Sequence, residues 1–482
     1  MTSASTTTRP GTPGTTTPQP ILQSFTERVS PVDPVALFRH SQADMGTATY
    51  WERPQEATVL VGMGATEQIR LQGPAAGAWV FGEARCEWQR LVAGAQLFGD
   101  VAVGPVLLGG FAFDPLQQAT DTWGGFPSGL LTLPRLLYRQ VEGTAFVTYS
   151  VVLPPGAATD RAFRTLRDTW LGALAVVKGQ GPEDREWNTN IGRRAGQRSA
   201  EPGTHGRGSA RFPQPPTPDP WKGLVAEAAQ AIRDGQMEKV VLARQVRLPA
   251  ETIVDAPTAL ARLREGSSSG LVFAVASGGH CFLGATPERL VRLEGGQVST
   301  AALAGSRRRG ATVQDDAALE LELLRSSKDR WEHAIVVREL TDGLRAAGVD
   351  LSPTPRTVVM KLGSVQHLYT PLSGHVDGGS NILDLLQRLH PSPAVGGYPR
   401  CEALAWIRRR EGLDRGWYAG PVGWMDTQGN GDFAVGIRSA LLDRYGALLF
   451  AGCGIMGDSR PEDEFAESEL KLRPMQSALL RR

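Results

Sequence analysis

Short apolar runs broken by turns dominate the first part of the chain. Residues 57–62, 77–81, 106–113 and 144–149 are each apolar over strand length, and most are not separated by helical patterns. Strands spaced this way predict an antiparallel or mixed sheet rather than a doubly wound one. The first 20 residues are almost wholly Thr, Ser, Pro and Gly; they bury too little apolar surface to offset ordering entropy and are expected to be disordered. A second break over 179–217, rich in Gly, Pro, Arg, Glu and Ser, is expected to be a linker. The organisation predicted is therefore a tail over 1–20, an N-terminal sheet half over 21–178, the linker, and a second region over 218–482.

In that second region the periodicity alternates between 3.6 and 2. Asp219 and Pro220 predict an N-cap and first-turn proline; Leu224, Ala228 and Ile232 form one stripe, and Gly235 ends the helix. A strand over 239–246 puts Lys239, Val241 and Ala243 on one face and Val240, Leu242 and Val246 on the other. Lys239 is then either a partly desolvated general base or a strand-end lysine in water. Strands over 271–275 and 281–284 follow, and Glu288 stands beyond a Gly/Pro turn, where a carboxyl serves a site or is merely solvated. The small-residue run 300–304 leads to Gly305, Ser306 and three arginines, a turn able to bring amides to a carboxylate or simply to close a hairpin. Serines 326 and 327 cap a helix with Ile335, Val336 and Leu340 on its buried side and Glu332 near the boundary. His367 lies in another apolar run, where a histidine is commonly a satisfied core residue. The segment Gln428-Gly429-Asn430-Gly431 signals a hairpin into the apolar run 433–440, interrupted only by Arg438. A buried arginine needs an anion, from the protein or from a ligand.

The most informative pattern comes near the end. The strand over 448–451 runs into Gly452, Gly454 and Gly457, which let backbone amides approach a ligand. Asp458 or Ser459 can cap a helix starting near Pro461. On it Glu464, Glu467 and Lys471 project from one face. Two carboxylates there repel unless a cation sits between them, and hard oxygens suit Mg²⁺. The same spacing also fits a solvated face with a Glu467–Lys471 salt bridge.

Composition narrows the function classes. A chain of 482 residues has room for two domains or one large interwoven body, and 41% hydrophobic with 21% charged residues describes a globular protein. With 51 basic and 50 acidic residues, no bulk field favours nucleic acid or an anionic membrane. Cys86, Cys281, Cys401 and Cys453 have no paired spacing, which suggests reduced thiols in a cytoplasmic protein rather than a zinc cluster or disulfide framework. The N-terminus lacks an export pattern, and no apolar run approaches the roughly 20 residues of a membrane helix.

Taken in order, these stretches resemble the chorismate-utilising enzymes, and closely the isochorismate synthases of the menaquinone-pathway type. Seven separated motifs between Asp219 and Pro474 carry the resemblance. It is weaker over 21–178, where Gly109-Gly110-Phe111-Ala112-Phe113-Asp114 is similar to the family's N-terminal half. The resemblance implies an α/β (α+β) fold: one large interwoven antiparallel sheet sandwich with helices outside. It implies Mg²⁺ on Glu332 and Glu467, with Glu464 bound through water or behind them. Lys239 would activate water, where ammonia-using relatives carry another residue, often glutamine, and Glu288 would protonate the departing hydroxyl. Arg438 and Tyr418 would grip the enolpyruvyl carboxylate, while amides of Gly305, Gly452 and Gly454 with Ser306 would complete the anion cradle. His367 would lie near the ring hydroxyl and Lys471 near the metal-bound carboxylate. Ala304 stands where aminodeoxychorismate synthases commonly place a nucleophilic lysine. Ala394, where salicylate synthases tend to carry threonine, implies arrest at isochorismate, and Ser468 keeps the hydroxyl of the usual threonine. The expected partner is the small molecule chorismate, with no nucleic acid, membrane or obligatory protein partner. A salicylate synthase, a metal-free hydrolase built on Glu288 and another glutamate, and a non-catalytic chorismate-binding module stay open as alternatives.

Overall fold

Two large sheets take up the strands that the alternating pattern predicts. The computed structural model describes residues 20–481 except 73–79, 118–119, 155–156, 158, 180–217, 267–269, 354–355 and 362–364. The expected tail and linker therefore lie outside the described residues, apart from Pro20 and Gly179. The 12-stranded sheet runs from Gly397–Tyr398 through Lys239–Pro249, Gly446–Ile455, Ser439–Asp443, His280–Thr286 and Leu271–Ser277. It continues into the N-terminal half through Ala48–Arg53, Thr58–Met63, Leu136–Val141, Thr144–Leu153, Ile21–Val29 and Gln96–Gly99. The 10-stranded sheet is likewise shared, with Pro421–Asp426 pairing Val106–Phe111 at the join. The interwoven α/β sandwich expected from the resemblance is thus the observed fold. Among the described residues it departs from a purely antiparallel one only where Ile21–Val29 pairs Gln96–Gly99 in parallel.

Burial follows the alternation. Between the sheets, Trp51, Leu60 and Leu137 of the larger pack with Leu107, Phe111 and Leu131 of the smaller. The outer face of the larger sheet is covered by helices, including Pro34–Met45 through Phe38, Ala256–Gly266 through Leu260 and Pro461–Leu479 through Leu472 and Met475. Both faces of that sheet are therefore dry over its central strands, while the edge strand Gln96–Gly99 stays largely exposed.

Several local expectations are corrected. Of the strand predicted over 77–81, residues 77–79 lie outside the described residues, and Val80 and Phe81 open the helix Val80–Val92, whose buried Val80, Phe81, Ala84 and Trp88 recur at helical spacing. The helix expected to be capped by Asp219 begins already at Pro218. Its buried stripe centres on Trp221, Val225 and Ala228, leaving Leu224 and Ile232 at the edge. Pro461 does open its helix, but the N-cap is Arg460, which makes no side-chain cap; the Ser459 hydroxyl instead binds Glu464 Oε1 at 2.7 Å and accepts from Met456 N.

Two corners position the chemistry. The chain passes from the larger sheet to the smaller between His280–Thr286 and Arg289–Glu294, and back between Gly431–Val435 and Ser439–Asp443. Glu288 lies in the first corner and Arg438 in the second. Arg438 therefore does not interrupt a strand, as the apolar run suggested; it sits at a sheet switch with φ of 50°, a left-handed conformation unusual for a side-chain-bearing residue. The corners bind each other, Val435 N donating to Glu288 O at 3.0 Å and Ala285 N to Arg438 O at 3.1 Å.

Candidate active site

A cavity of about 110 Å³ opens beside these corners, on a measure by which one water needs roughly 10–15 Å³. Every residue expected at the site lines it except Lys239: Glu288, Glu332, Glu464, Glu467, Gly305, Ser306, His367, Ala394, Tyr418, Arg438, Gly452, Gly454 and Lys471. Lys239, fully buried, reaches the site through Glu332, whose Oε1 is 2.8 Å from its Nζ.

The helix Ser327–Ala346, capped by Ser326 through Asp329 N, delivers Glu332, while Pro461–Leu479 delivers Glu464, Glu467 and Lys471. The Gly446–Ile455 strand brings Gly452 and Gly454, whose amides were expected to face the ligand, to the cavity wall. Gly452 and Gly454 sit within the ladder opposite Ala243 and Val241. Their value is space: a Cβ on Gly454 would stand 2.5 Å from Glu332 Oε1 and 2.9 Å from Lys239 Cε, and one on Gly452 would stand 2.9 Å from the Tyr418 hydroxyl. Gly305, at φ of 73°, forms a bulge that sets Ser306 opposite His367. The Ser306 hydroxyl meets His367 Nδ1 at 2.9 Å, and buried His367 Nε2 has no partner.

The charges are arranged in pairs. Besides Lys239 with Glu332, Lys471 Nζ lies 2.7 Å from Glu467 and Lys328 Nζ 3.1 Å from Glu464. Arg307 pairs with Asp329 at 2.8 Å, and Arg415 with Glu411 at 2.6 Å. The Glu467–Lys471 bridge of the solvated-face reading is thus present, but it faces the cavity. Two groups stand outside this pairing. Among the described residues no carboxylate lies within 4.0 Å of the Arg438 guanidinium, and no side chain or carbonyl accepts from it. Burial lowers Arg438 from its ordinary value but leaves a guanidinium charged. Glu288 is held up to about 7 by burial, against the opposing pull of Lys239, Lys471 and Arg438. It is the carboxyl most able to carry a proton near neutrality.

The remaining titrations follow from the same surroundings. Burial raises Glu464, helped by the charge of Glu467 and opposed by Lys328. Burial also pushes on Glu467, but Lys471 outweighs it and holds Glu467 below its usual value. Burial, then Arg438 and Lys471, depress His367 to about 3, so its ring is neutral, and burial pushes Tyr418 up to about 12.

The cavity's carboxylates suit a hard cation in kind: Glu332, Glu464 and Glu467 come from two helices onto one cavity, and Glu464 and Glu467 repel each other across it. Among the described residues no set of three or more His, Cys, Asp or Glu is gathered as ligands around one point, and the three glutamates are held by lysines. Sequence reasoning missed Lys328, Arg307, Asp329 and Arg415. A signal for Arg415 existed in Glu411 four residues before it, at the spacing of a helical ion pair.

A buried acid, a lysine–glutamate cluster and an unpaired arginine in a cleft between interwoven sheets define an α/β enzyme acting on an anionic small molecule. The sequence pattern of the family described as "Chorismate binding enzyme" matches residues 10–480, so the likeness extends through the N-terminal half as well as the second region. The chain belongs to that family. It is 33% identical over 466 residues to isochorismate synthase MenF of Bacillus subtilis, covering 95% of this chain and 93% of that one. It is 37% identical over 462 residues to the salicylate biosynthesis isochorismate synthase of Pseudomonas aeruginosa, covering 96% and 90%. The structure of MenF, the menaquinone-specific isochorismate synthase from Escherichia coli, shares the fold with a TM-score of 0.72 at 24% identity, over 96% of this chain and 95% of that one.

Proposed function

We propose that the protein is an isochorismate synthase, an isomerase that adds water at C2 of chorismate as the C4 hydroxyl departs, and that it serves menaquinone biosynthesis in the cytoplasm. The observation that carries this reading is the charge pattern: one acid protonated near neutrality and one unpartnered guanidinium share a cavity with five internally matched ion pairs. Glu332 and Glu467 would hold Mg²⁺, with Glu464 bound through water or behind them; when bound, the ion supplies positive charge to the ring carboxylate.

Arg438 offers an open fork to the enolpyruvyl carboxylate, with the Tyr418 hydroxyl alongside. The neutral ring of His367 presents Nε2 to the substrate's ring side, and Lys471, anchored on Gly452 O at 2.8 Å, stands by the ring carboxylate. Glu288 gives its proton to the leaving C4 oxygen, which departs as water. Lys239 takes the proton of the incoming water. Glu332, whose Oε1 lies 2.8 Å from Lys239 Nζ, orients that amine toward the site.

The test is product analysis: purified protein with chorismate and Mg²⁺, with and without ammonium, should yield isochorismate in both cases. An aminated product with ammonium, or no conversion, would overturn the reading. The likeness to the Pseudomonas aeruginosa protein supports a second placement, supply of isochorismate for salicylate. Pyruvate release in a lactate dehydrogenase-coupled assay would identify a salicylate synthase instead.

A further inference from the structure

The Lys239–Pro249 strand has an exposed flank inside the protein. Its neighbour Gly397–Tyr398 pairs only with Lys239 and Val240, and Gly396 O accepts from Val241 N at 2.9 Å. Beyond that point the flank has no strand beside it, so its peptide groups need other partners. Three side chains supply them, the Trp221 indole N–H donating to Ala243 O at 3.3 Å. Glu411 Oε2 accepts from Ala243 N at 2.8 Å, and Arg415 Nη2 donates to Val241 O at 2.7 Å. A carboxylate and a guanidinium thus stand in for the carbonyl and amide of an absent strand. Arg415 Nη1 also donates to Val395 O at 3.0 Å, next to Ala394.

The pair is enclosed, with side-chain exposures of 0% and 1%, and doubly bonded: Nε to Glu411 Oε1 and Nη2 to Oε2, both 2.6 Å. The guanidinium also lies 4.2 Å from the Phe113 ring centroid. Four hydrogen bonds to the protein leave Arg415 little to offer a substrate, although it lines the cavity, whereas Arg438 makes none. The two arginines therefore differ in task.

We propose that Glu411 and Arg415 form a positioning unit that completes the open edge of the Lys239–Pro249 strand and fixes Lys239 relative to the Ala394–Val395 wall. Its kinetic arm rests on the isochorismate synthase reading. In the full-length protein, R415K and E411Q each break the fork while keeping size and polarity. Each should lower kcat at least 30-fold with KM within threefold, and the double variant should be no worse than the poorer single one. Hydrogen exchange without substrate gives the independent arm: the Ala243 amide should exchange at least tenfold faster in both variants, with the His280–Thr286 strand unchanged. Unchanged exchange at Ala243, kcat within threefold, or a raised KM at constant kcat overturns the proposal. So does global unfolding of both variants by circular dichroism, since the pair would then support the whole fold. Wild-type protein that fails to convert chorismate overturns the functional reading and leaves the exchange arm standing.

Discussion

Replacing Glu288 by Gln separates activity from stability. Burial holds the carboxyl up to about 7 from an ordinary 4.5. A raised carboxyl contributes stability that is fully present below about 4.5 and lost as pH rises through about 7. The shift corresponds to about 3 kcal/mol, paid by the wild type at pH 8 and avoided by glutamine, which has no charge to bury. At roughly 1 kcal/mol per degree for a chain of this length, E288Q should melt about 3 °C higher than wild type at pH 8 and equally at pH 4.5. Activity should move the other way. As general acid Glu288 must be protonated, so wild-type kcat/KM should fall to about a tenth of its acid plateau by about pH 8, and E288Q should lose about 10²–10⁴-fold with no such step. Calorimetry and a continuous isochorismate assay across pH 5–9 read both. A wild-type profile that is flat through neutrality, or an E288Q variant no more stable at pH 8 than at pH 4.5 relative to wild type, would refute the reasoning.

Other perturbations test the neighbouring parts. E332Q and E467Q should each shift the Mg²⁺ titration of activity to at least about tenfold higher concentration; an unchanged midpoint removes them as ligands. Gly454→Ala places a methyl 2.5 Å from Glu332 Oε1, so the carboxylate must withdraw, and kcat should fall about 10²-fold with both functional groups still present; near-normal turnover counts against the packed geometry. Arg438→Lys keeps the charge but loses the fork, so KM for chorismate should rise about tenfold or more, and an unaltered KM argues that another group holds the carboxylate. Chelation by EDTA should abolish turnover while lowering the melting temperature by no more than about 3 °C, because lysines already neutralise the glutamates; cooperative unfolding in EDTA at ambient temperature contradicts this.

The parts of the site legible in the sequence are those set by local period. Glu464, Glu467 and Lys471 share a face because helical spacing demands it, and the serine cap placed Glu332 at a buried boundary. Long-range consequences were not legible. Glu332 and Lys239 meet at the cavity wall from distant parts of the chain, and Lys328 finds Glu464 from 136 residues away. Local spacing offered only the Glu467–Lys471 pair; the lysines that neutralise Glu332 and Glu464 come from elsewhere in the chain. The apolar run around Arg438 looked like one strand because both halves are buried; the change of sheet rests on a left-handed arginine that nothing in its residue type announces. The glycines at 452 and 454 were found, but their role depends on which side chains lie opposite, and that is tertiary information.

The pairing also explains why two anions can enter a site already rich in carboxylates. Each glutamate that a metal would use has its own ammonium, so the unliganded cavity does not hold several uncompensated buried charges at once, an arrangement costing several kcal/mol per ion. Matching leaves one surplus positive charge, on Arg438, and one neutral acid, Glu288. That surplus balances one carboxylate. Chorismate carries two, so on the proposed reading a bound cation would supply the further positive charge, and the lysine-matched Glu332 and Glu467 are where it would be exchanged in. A monocarboxylate analogue retaining only the enolpyruvyl carboxylate should accordingly bind with little dependence on Mg²⁺, whereas chorismate itself should depend on it strongly.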